Sequence, residues 1–315
     1  MEFSEKEKEL LKNPNIFYDA SLFEFDYHLS ASCQNITITT DYEPCFKDFR
    51  KFYKYDSAIS FECFFARCQD KKTALKPGLE AGAHNRKCII IIHGFQSKQK
   101  KIYLQFASRY AKMGLDCVVY SLPFHFERKN AGPKETGDFI DTSDFRVTFE
   151  LFRQSVIELQ VLIKVLKIIG YSQVGTMGFS FGGYCCSILS CIDRNLDFAI
   201  PLATIGDFSS LLIFKKGKST LNDYNEKERL NKLLAEKYIG LICPVYLYPV
   251  IDIKKIMLIQ GIFDHRAPVS DVAKLRKKWD YPKVIWYPCD HFTFFIFNRL
   301  TLKISFDFIE KLEKT

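Results

Sequence analysis

The amino-acid sequence predicts an α/β protein, a mostly parallel, doubly wound sheet with helices on both faces. Three observations lead there. The run "KCIIIIHGF" at residues 87–95 is short, continuously apolar and β-branched, which is the composition of a strand covered on both faces. Elsewhere apolar residues recur every three or four positions, the spacing of amphipathic helices. From residue 87 onward the two kinds of segment alternate, and right-handed crossovers turn that alternation into a parallel sheet.

Residues 1–86 are aromatic-rich; "NITITT" alternates and "ISFECFFARC" reads as a strand, so this part is expected to be a β-rich extension packed on the core. The α/β domain is expected over 87–315. After its first strand, Ile102, Phe106, Tyr110 and Met113 stand at helical spacing and the helix stops at Gly114, a residue free to adopt the left-handed conformation that ends helices. The strand "LDCVVYSLP" follows. A long helix is predicted from Asp144 to Ile169, with Phe145, Phe149, Phe152, Val156, Leu159, Ile163 and Leu166 on its apolar face and Arg146, Glu150, Arg153 and Lys164 elsewhere. Thr142 or Ser143 can cap its start, and Gly170 ends it. Next come the strand "QVGTMGF", a helix from Phe181 to Cys191 and the strand "DFAIPLA".

The interval 204–250 breaks the alternation. It is longer than a normal crossover and carries a basic "KKGK" and a helical "EKERLNKLLAEKY". It reads as a cap or lid inserted at the strand ends, where open α/β sheets bind ligands; the alternative is a two-helix crossover packed on the sheet. The strands "KIMLIQG" and "KVIWYP", a helix near Val269 to Trp279 between them, and a last helix from Asn298 to Glu313 complete the chain.

Composition narrows the function classes. At 47% hydrophobic and 26% charged residues, the chain is expected to be soluble and globular rather than disordered. The net charge of +8 is scattered through every segment without a long basic run, which argues against a nucleic-acid partner. Eleven cysteines at irregular spacing, among them the adjacent Cys185 and Cys186 and the apolar-embedded Cys88 and Cys117, read as reduced thiols inside a cell. The N-terminus is charged where a secretory signal would be apolar, and no apolar run approaches a membrane span, so a cytoplasmic location is expected. No metal-ligand motif is present, and Gly178, Gly182 and Gly183 lack the spacing of a dinucleotide fingerprint; no cofactor is expected.

The chemistry is expected at "GFSFGG", which matches G-x-S-x-G between a strand and a helix. In that context Ser180 occupies a bend so tight that Gly178 and Gly182 have no room for side chains, and its hydroxyl faces outward as a nucleophile. The unpaired N–H groups of the new helix lie beside it, so the Phe181 N–H can receive a developing oxyanion. In proteins with this bend the acid and the base follow the serine in the chain. Two histidines do, His265 and His291. His291, in "CDHFTF" after the strand "KVIWYP", is the candidate general base, because a group titrating near neutrality can take the serine proton and return it. Asp264, in "QGIFDHRAP" on the loop after the preceding strand, is the candidate orienting acid, with Asp207 in reserve; Asp290 reads as a turn carboxylate and His265 as a bystander.

A second oxyanion donor is expected from the loop after the first central strand, where His93-Gly94 brings the backbone close and leaves the Phe95 N–H, or less favourably that of Gln96, facing the reacting oxygen. His93 precedes the serine and reads as a brace for that loop. On "PFHFER", His125 and Arg128 are candidate substrate-binding residues, Arg128 for a carboxylate or phosphate, with a structural ion pair as its other reading. "HFTFFIF" reads as an acyl pocket or as plain core.

Taken in order, "HGF", "GFSFGG", "GIFDHRAP" and "DHF" resemble the α/β-hydrolase superfamily, over roughly Lys87 to the C-terminus. The resemblance implies an eight-stranded, mostly parallel sheet and acyl-enzyme chemistry. Within it, Pro123, Phe124 and Arg128 in "SLPFHFERKN" resemble the abhydrolase domain-containing protein 18 group; Phe181 stands where that group has leucine, and there is no H-G-G-G run. The expected function is hydrolysis of a small carboxylic ester. A thioesterase, a small peptidase or a catalytically silent binding protein are the alternatives.

Overall fold

The computed structural model describes residues 4–29, 35–40, 42–46, 58–64, 86–131, 145–208 and 226–312. Among them nine strands form one sheet: β1 (Phe25–Leu29), β2 (Asn35–Thr40), β3 (Ala58–Phe64), β4 (Lys87–Ile92), β5 (Asp116–Tyr120), β6 (Gln173–Phe179), β7 (Phe198–Leu202), β8 (Met257–Gly261) and β9 (Lys283–Tyr287). Their spatial order is β1-β2-β3-β5-β4-β6-β7-β8-β9. The six strands from β5 across to β9 are parallel, so their C-terminal ends share one edge.

The eight-stranded expectation is corrected to nine. The N-terminal extension adds three antiparallel strands, joined to the parallel block through Glu62–Val119, Cys63–Val118 and Phe64–Cys117. β1 was not legible in advance because "FDYHL" carries no clean alternation; its pairing with β2, Phe25 opposite Thr40 through Leu29 opposite Ile36, defines it.

β4 shows why the sheet needs cover on both faces. Every one of its side chains is buried. Cys88, Ile90 and Ile92 enter one core, while Ile89 and Ile91 enter the other, as a two-residue repeat requires. The first core is covered by α4 (Phe145–Ile169), α5 (Phe181–Ile192) and α7 (Val269–Lys278); the second by α3 (Lys101–Lys112) and α8 (Asn298–Lys311). α3 and α4 end at Gly114 and Gly170, whose φ of +101° and +106° are left-handed. The expected caps Thr142 and Ser143 lie outside the described residues.

Two more helices, α1 (Glu5–Leu10) and α2 (Pro14–Phe17), precede the sheet, and α6 (Glu226–Tyr238) precedes β8. The extension changes the environment of α4. Glu150 and Arg153, which the periodicity placed off the apolar face, are buried, with exposures of 3% and 1%. Phe17, Phe23, Tyr42, Glu43 and Cys45 cover them. Arg153 donates to the Phe17 carbonyl at 2.7 Å, the Tyr42 hydroxyl at 3.0 Å and the Glu43 carbonyl at 3.1 Å, while Glu150 accepts from the Cys45 N–H at 2.8 Å and from Tyr42.

In the interval 204–250, α6 packs on α4, and Ala235, Ile239 and Ile242 join the first core. The "KKGK" run lies outside the described residues. No helix among the described residues is long and apolar enough to cross a membrane.

Candidate active site

β6 ends at Phe179 and α5 begins at Phe181, leaving Ser180 alone at the bend with φ 56° and ψ −112°. A side chain pays for that left-handed conformation with steric strain, so the surroundings must enforce it. They do so through the backbone: the Ser180 N–H donates to the Leu202 carbonyl at 2.8 Å, and the Tyr184 N–H donates to the Ser180 carbonyl at 2.9 Å. The chain also turns back on itself at close range. A Cβ on Gly178 would stand 2.2 Å from the Gly182 carbonyl oxygen, and one on Gly182 would stand 2.4 Å from that of Ile92. Only glycine fits either position.

The loops after β8 and β9 deliver two further side chains to this corner. His291 Nε2 lies 3.0 Å from Ser180 Oγ, and His291 Nδ1 lies 2.7 Å from Asp264 Oδ2. A carboxylate can only accept, so Nδ1 carries the proton and Nε2 presents its lone pair to the serine hydroxyl. Asp264 is itself fixed: its Oδ1 accepts from the Arg266 N–H at 2.9 Å and the Ala267 N–H at 2.8 Å. Gln260 holds the same loop by donating to the Ala267 carbonyl at 2.7 Å. All three members of the row are buried, Ser180 and His291 at 8% exposure and Asp264 at 4%. The Phe179 ring backs His291 at 4.9 Å.

The other candidates sort by their partners. Asp290 points away and accepts from the Phe292 and Thr293 N–H groups at 2.9 and 2.8 Å; the Thr293 bonds hold its carboxyl below the usual range. Asp207 faces Lys274 at 3.8 Å, and His265 is exposed. Of the N–H groups proposed for an oxyanion, those of Phe95 and Phe181 have no acceptor among the described residues, and the two rings lie 6.4 Å apart. The Gln96 N–H is engaged by His125 Nε2 at 3.2 Å.

The substrate-binding reading of "PFHFER" needs correction. His125 is fully buried, and Arg128 forms a two-pronged pair with Glu158, 2.8 Å on each side, while also donating to the Ser121 carbonyl at 2.9 Å. Their hydrogen bonds run to α4 and to the neighbouring loops, with Arg128 in the 3-10 turn of residues 126–131. Nothing in the spacing of the sequence announces Glu158, which lies a whole helix away. The run "HFTFFIF" divides: Phe294 is core, whereas Phe292 and Ile296 are exposed at 72% and 77%. No group of three or more His, Cys, Asp or Glu among the described residues is placed to hold a metal.

Solved structures with a similar fold include esterase 2 of Thermogutta terrifontis, phosphoramylated by tabun. It is 12% identical, with a TM-score of 0.54 over 82% of this chain and 92% of that one. The Pyrococcus furiosus esterase Pf2001 is 14% identical, with a TM-score of 0.51 over 93% of this chain and 94% of that one. The chain has the α/β-hydrolase fold. An acylaminoacyl peptidase of Pyrococcus horikoshii shares that fold at 17% identity and a TM-score of 0.50, over 83% of this chain and 40% of the peptidase.

In sequence, this chain is 27% identical over 186 residues to the uncharacterized proteins MT2702 and Rv2627c of Mycobacterium tuberculosis, a stretch covering 58% of its own length. The match spans 44% of those relatives, less than half their length. No protein-family model matches the chain, and none of these comparisons supports the narrower resemblance to the abhydrolase domain-containing protein 18 group.

Proposed function

We propose that this α/β hydrolase is a serine hydrolase that cleaves carboxylic esters through an acyl-enzyme. The observation that carries the reading is the row Ser180, His291, Asp264, joined at 3.0 and 2.7 Å on a strained, glycine-flanked bend. A structural turn has no need for such a row. In the reaction, His291 Nε2 takes the Ser180 proton as Oγ attacks the ester carbonyl carbon. The carbonyl π electrons move onto oxygen, which the Phe95 and Phe181 N–H groups receive. His291 then returns its proton to the departing alkoxide, leaving the acyl group on Oγ. Water, deprotonated at the same Nε2, attacks the acyl carbon, and Ser180 leaves with the proton restored. Throughout, Asp264 accepts the Nδ1 proton in a hydrogen bond and stabilises the imidazolium without becoming protonated.

Esters are favoured because an alkoxide departs more readily than an amide nitrogen and because esterases recur among the structural neighbours. The peptidase neighbour sets the competing reading. The 204–250 interval is proposed to supply a cap or lid, and α6 is the part of it that packs on α4. The cytoplasm suits the nine described cysteines, all of them buried. Fluorophosphonate labelling followed by a panel of p-nitrophenyl esters, thioesters and peptide amides tests the proposal. Labelling lost in Ser180→Ala and His291→Ala, with turnover of esters above amides, is expected. A folded, unlabelled wild type that turns over none of the three classes is a binding protein and ends the proposal.

A further inference from the structure

The loop that carries Phe95 is held by two buried imidazoles, and the hydrogen-bond accounting around it is specific. The Gly94 N–H donates to the Tyr103 hydroxyl at 3.2 Å, the Gln96 N–H to His125 Nε2 at 3.2 Å, and the Ser97 N–H to the Gly94 carbonyl at 3.3 Å. Of the four consecutive N–H groups from Gly94 to Ser97, that of Phe95 is the one without a protein acceptor among the described residues. Its direction is fixed by the other end of its own peptide. The Gly94 carbonyl accepts from His93 Nδ1 at 2.8 Å as well as from Ser97, and in a planar trans peptide the N–H points opposite to the carbonyl. The loop is also pressed against the bend: a Cβ on Gly94 would lie 3.4 Å from Ser180 Cβ.

The protonation states follow from the partners. His125 Nδ1 lies 2.9 Å from the Pro123 carbonyl, which can only accept, so Nε2 is a bare acceptor for Gln96. His93 is in the same tautomer, with Nδ1 on the Gly94 carbonyl and Nε2 accepting the Leu122 N–H at 2.9 Å. The two rings pack 4.7 Å apart, both fully buried. The backbone accepts strain to bring His125 there: Phe124 and Phe126, on either side, have φ of 65° and 51°, and Gln96 itself has φ 56°. Such conformations persist in bulky residues where the surroundings impose them.

We infer that His125 is a positioning residue for the oxyanion site: by accepting the Gln96 N–H it holds the Gly94–Gln96 turn in the conformation that presents the Phe95 N–H to the substrate oxygen. His93 secures the preceding carbonyl, and the pair acts as a clamp between the loops after β4 and β5. This rests on the oxyanion role proposed above for Phe95. It differs from a substrate-binding role, because both His125 ring nitrogens face backbone groups.

The test compares His125→Leu, which removes the acceptor, with His125→Gln, whose side-chain oxygen can take the place of Nε2. With a short-chain p-nitrophenyl ester, the leucine variant is expected to lose about 10- to 100-fold in kcat, as for a displaced oxyanion donor, with KM within about 2-fold of wild type. Its affinity for a trifluoromethyl ketone, which adds to the serine to give the same oxyanion, falls in parallel. The glutamine variant recovers most of both. A folded leucine variant with wild-type kcat overturns the inference, as does a change confined to KM or a glutamine variant no better than leucine. If the leucine variant does not fold, His125→Asn, too short to reach Gln96, takes its place against glutamine. A wild type inert to esters and to fluorophosphonate removes the hydrolase reading itself, an outcome distinct from an active wild type with an equally active leucine variant.

Discussion

Replacing Gly182 by alanine tests the packing of the bend most directly. The added Cβ would stand 2.4 Å from the Ile92 carbonyl oxygen and 2.8 Å from that of His93, both backbone atoms that no side-chain rotation can clear. A carbon and an oxygen need about 3.3 Å, so α5 must back away from β4 by about 1 Å. Because Ser180 and Phe181 form the first residues of that unit, the proposed nucleophile and its neighbouring N–H move with it. Overpacking of this kind costs about 1–3 kcal/mol of stability, and a misplacement of about 1 Å costs on the order of 100-fold in rate. Urea denaturation midpoints would be read beside the rate of fluorophosphonate labelling and ester turnover. Gly240→Ala, where the Cβ meets nothing within 4 Å, is the control expected to leave stability and labelling unchanged. A Gly182→Ala protein with wild-type midpoint and wild-type labelling rate would show that the bend has slack, and the steric reason given for the glycines would fall.

Asp264→Asn is expected to lower kcat by about 10³- to 10⁴-fold with little change in folding by circular dichroism. The Asn oxygen keeps the Arg266 and Ala267 N–H bonds, which turns the amide NH₂ toward His291 Nδ1 and forces the wrong tautomer; a loss below about tenfold contradicts this. Arg153→Met strands the buried Glu150 carboxylate and is expected to cost about 3–5 kcal/mol, with Glu150→Gln restoring part of it in the double variant; additive losses in thermal melts would deny the coupling. Burial, then the neighbouring His125, hold His93 well below the ordinary imidazole value of 6.5. The unfolded chain therefore binds a proton there that the folded chain refuses, and this contribution to stability, full above pH 6.5, declines as pH falls. The slope climbs toward a limit of about 1.4 kcal/mol per pH unit as pH falls below 6.5, and urea midpoints of His93→Asn should lose it; an unchanged slope assigns the pH dependence elsewhere.

Local patterns made much of this molecule legible. The apolar run at residues 87–92, the helical repeat ending at Gly170 and the helix "EKERLNKLLAEKY" are written within single segments, and they form where their periodicities indicate. The bend at Ser180 is legible for a similar reason, since backbone approaching backbone within a few residues admits only glycine. The set Ser180, Asp264 and His291 was nameable from chain order and from the loops that follow strands.

Partners distant in the chain were decided by the tertiary structure alone. Arg128 and His125 look like free polar groups on a loop until Glu158 and Gln96 are brought beside them. Glu150 and Arg153 look solvated until Phe17, Tyr42 and Cys45, more than 100 positions earlier, cover them. Between Asp264 and Asp207 the sequence had a preference; the loop closure that puts Asp264 Oδ2 2.7 Å from His291 made the choice. The physical reason is common to all three cases. Side-chain periodicity is fixed by backbone geometry a few residues at a time, whereas the identity of a hydrogen-bond partner depends on the order of strands in the sheet.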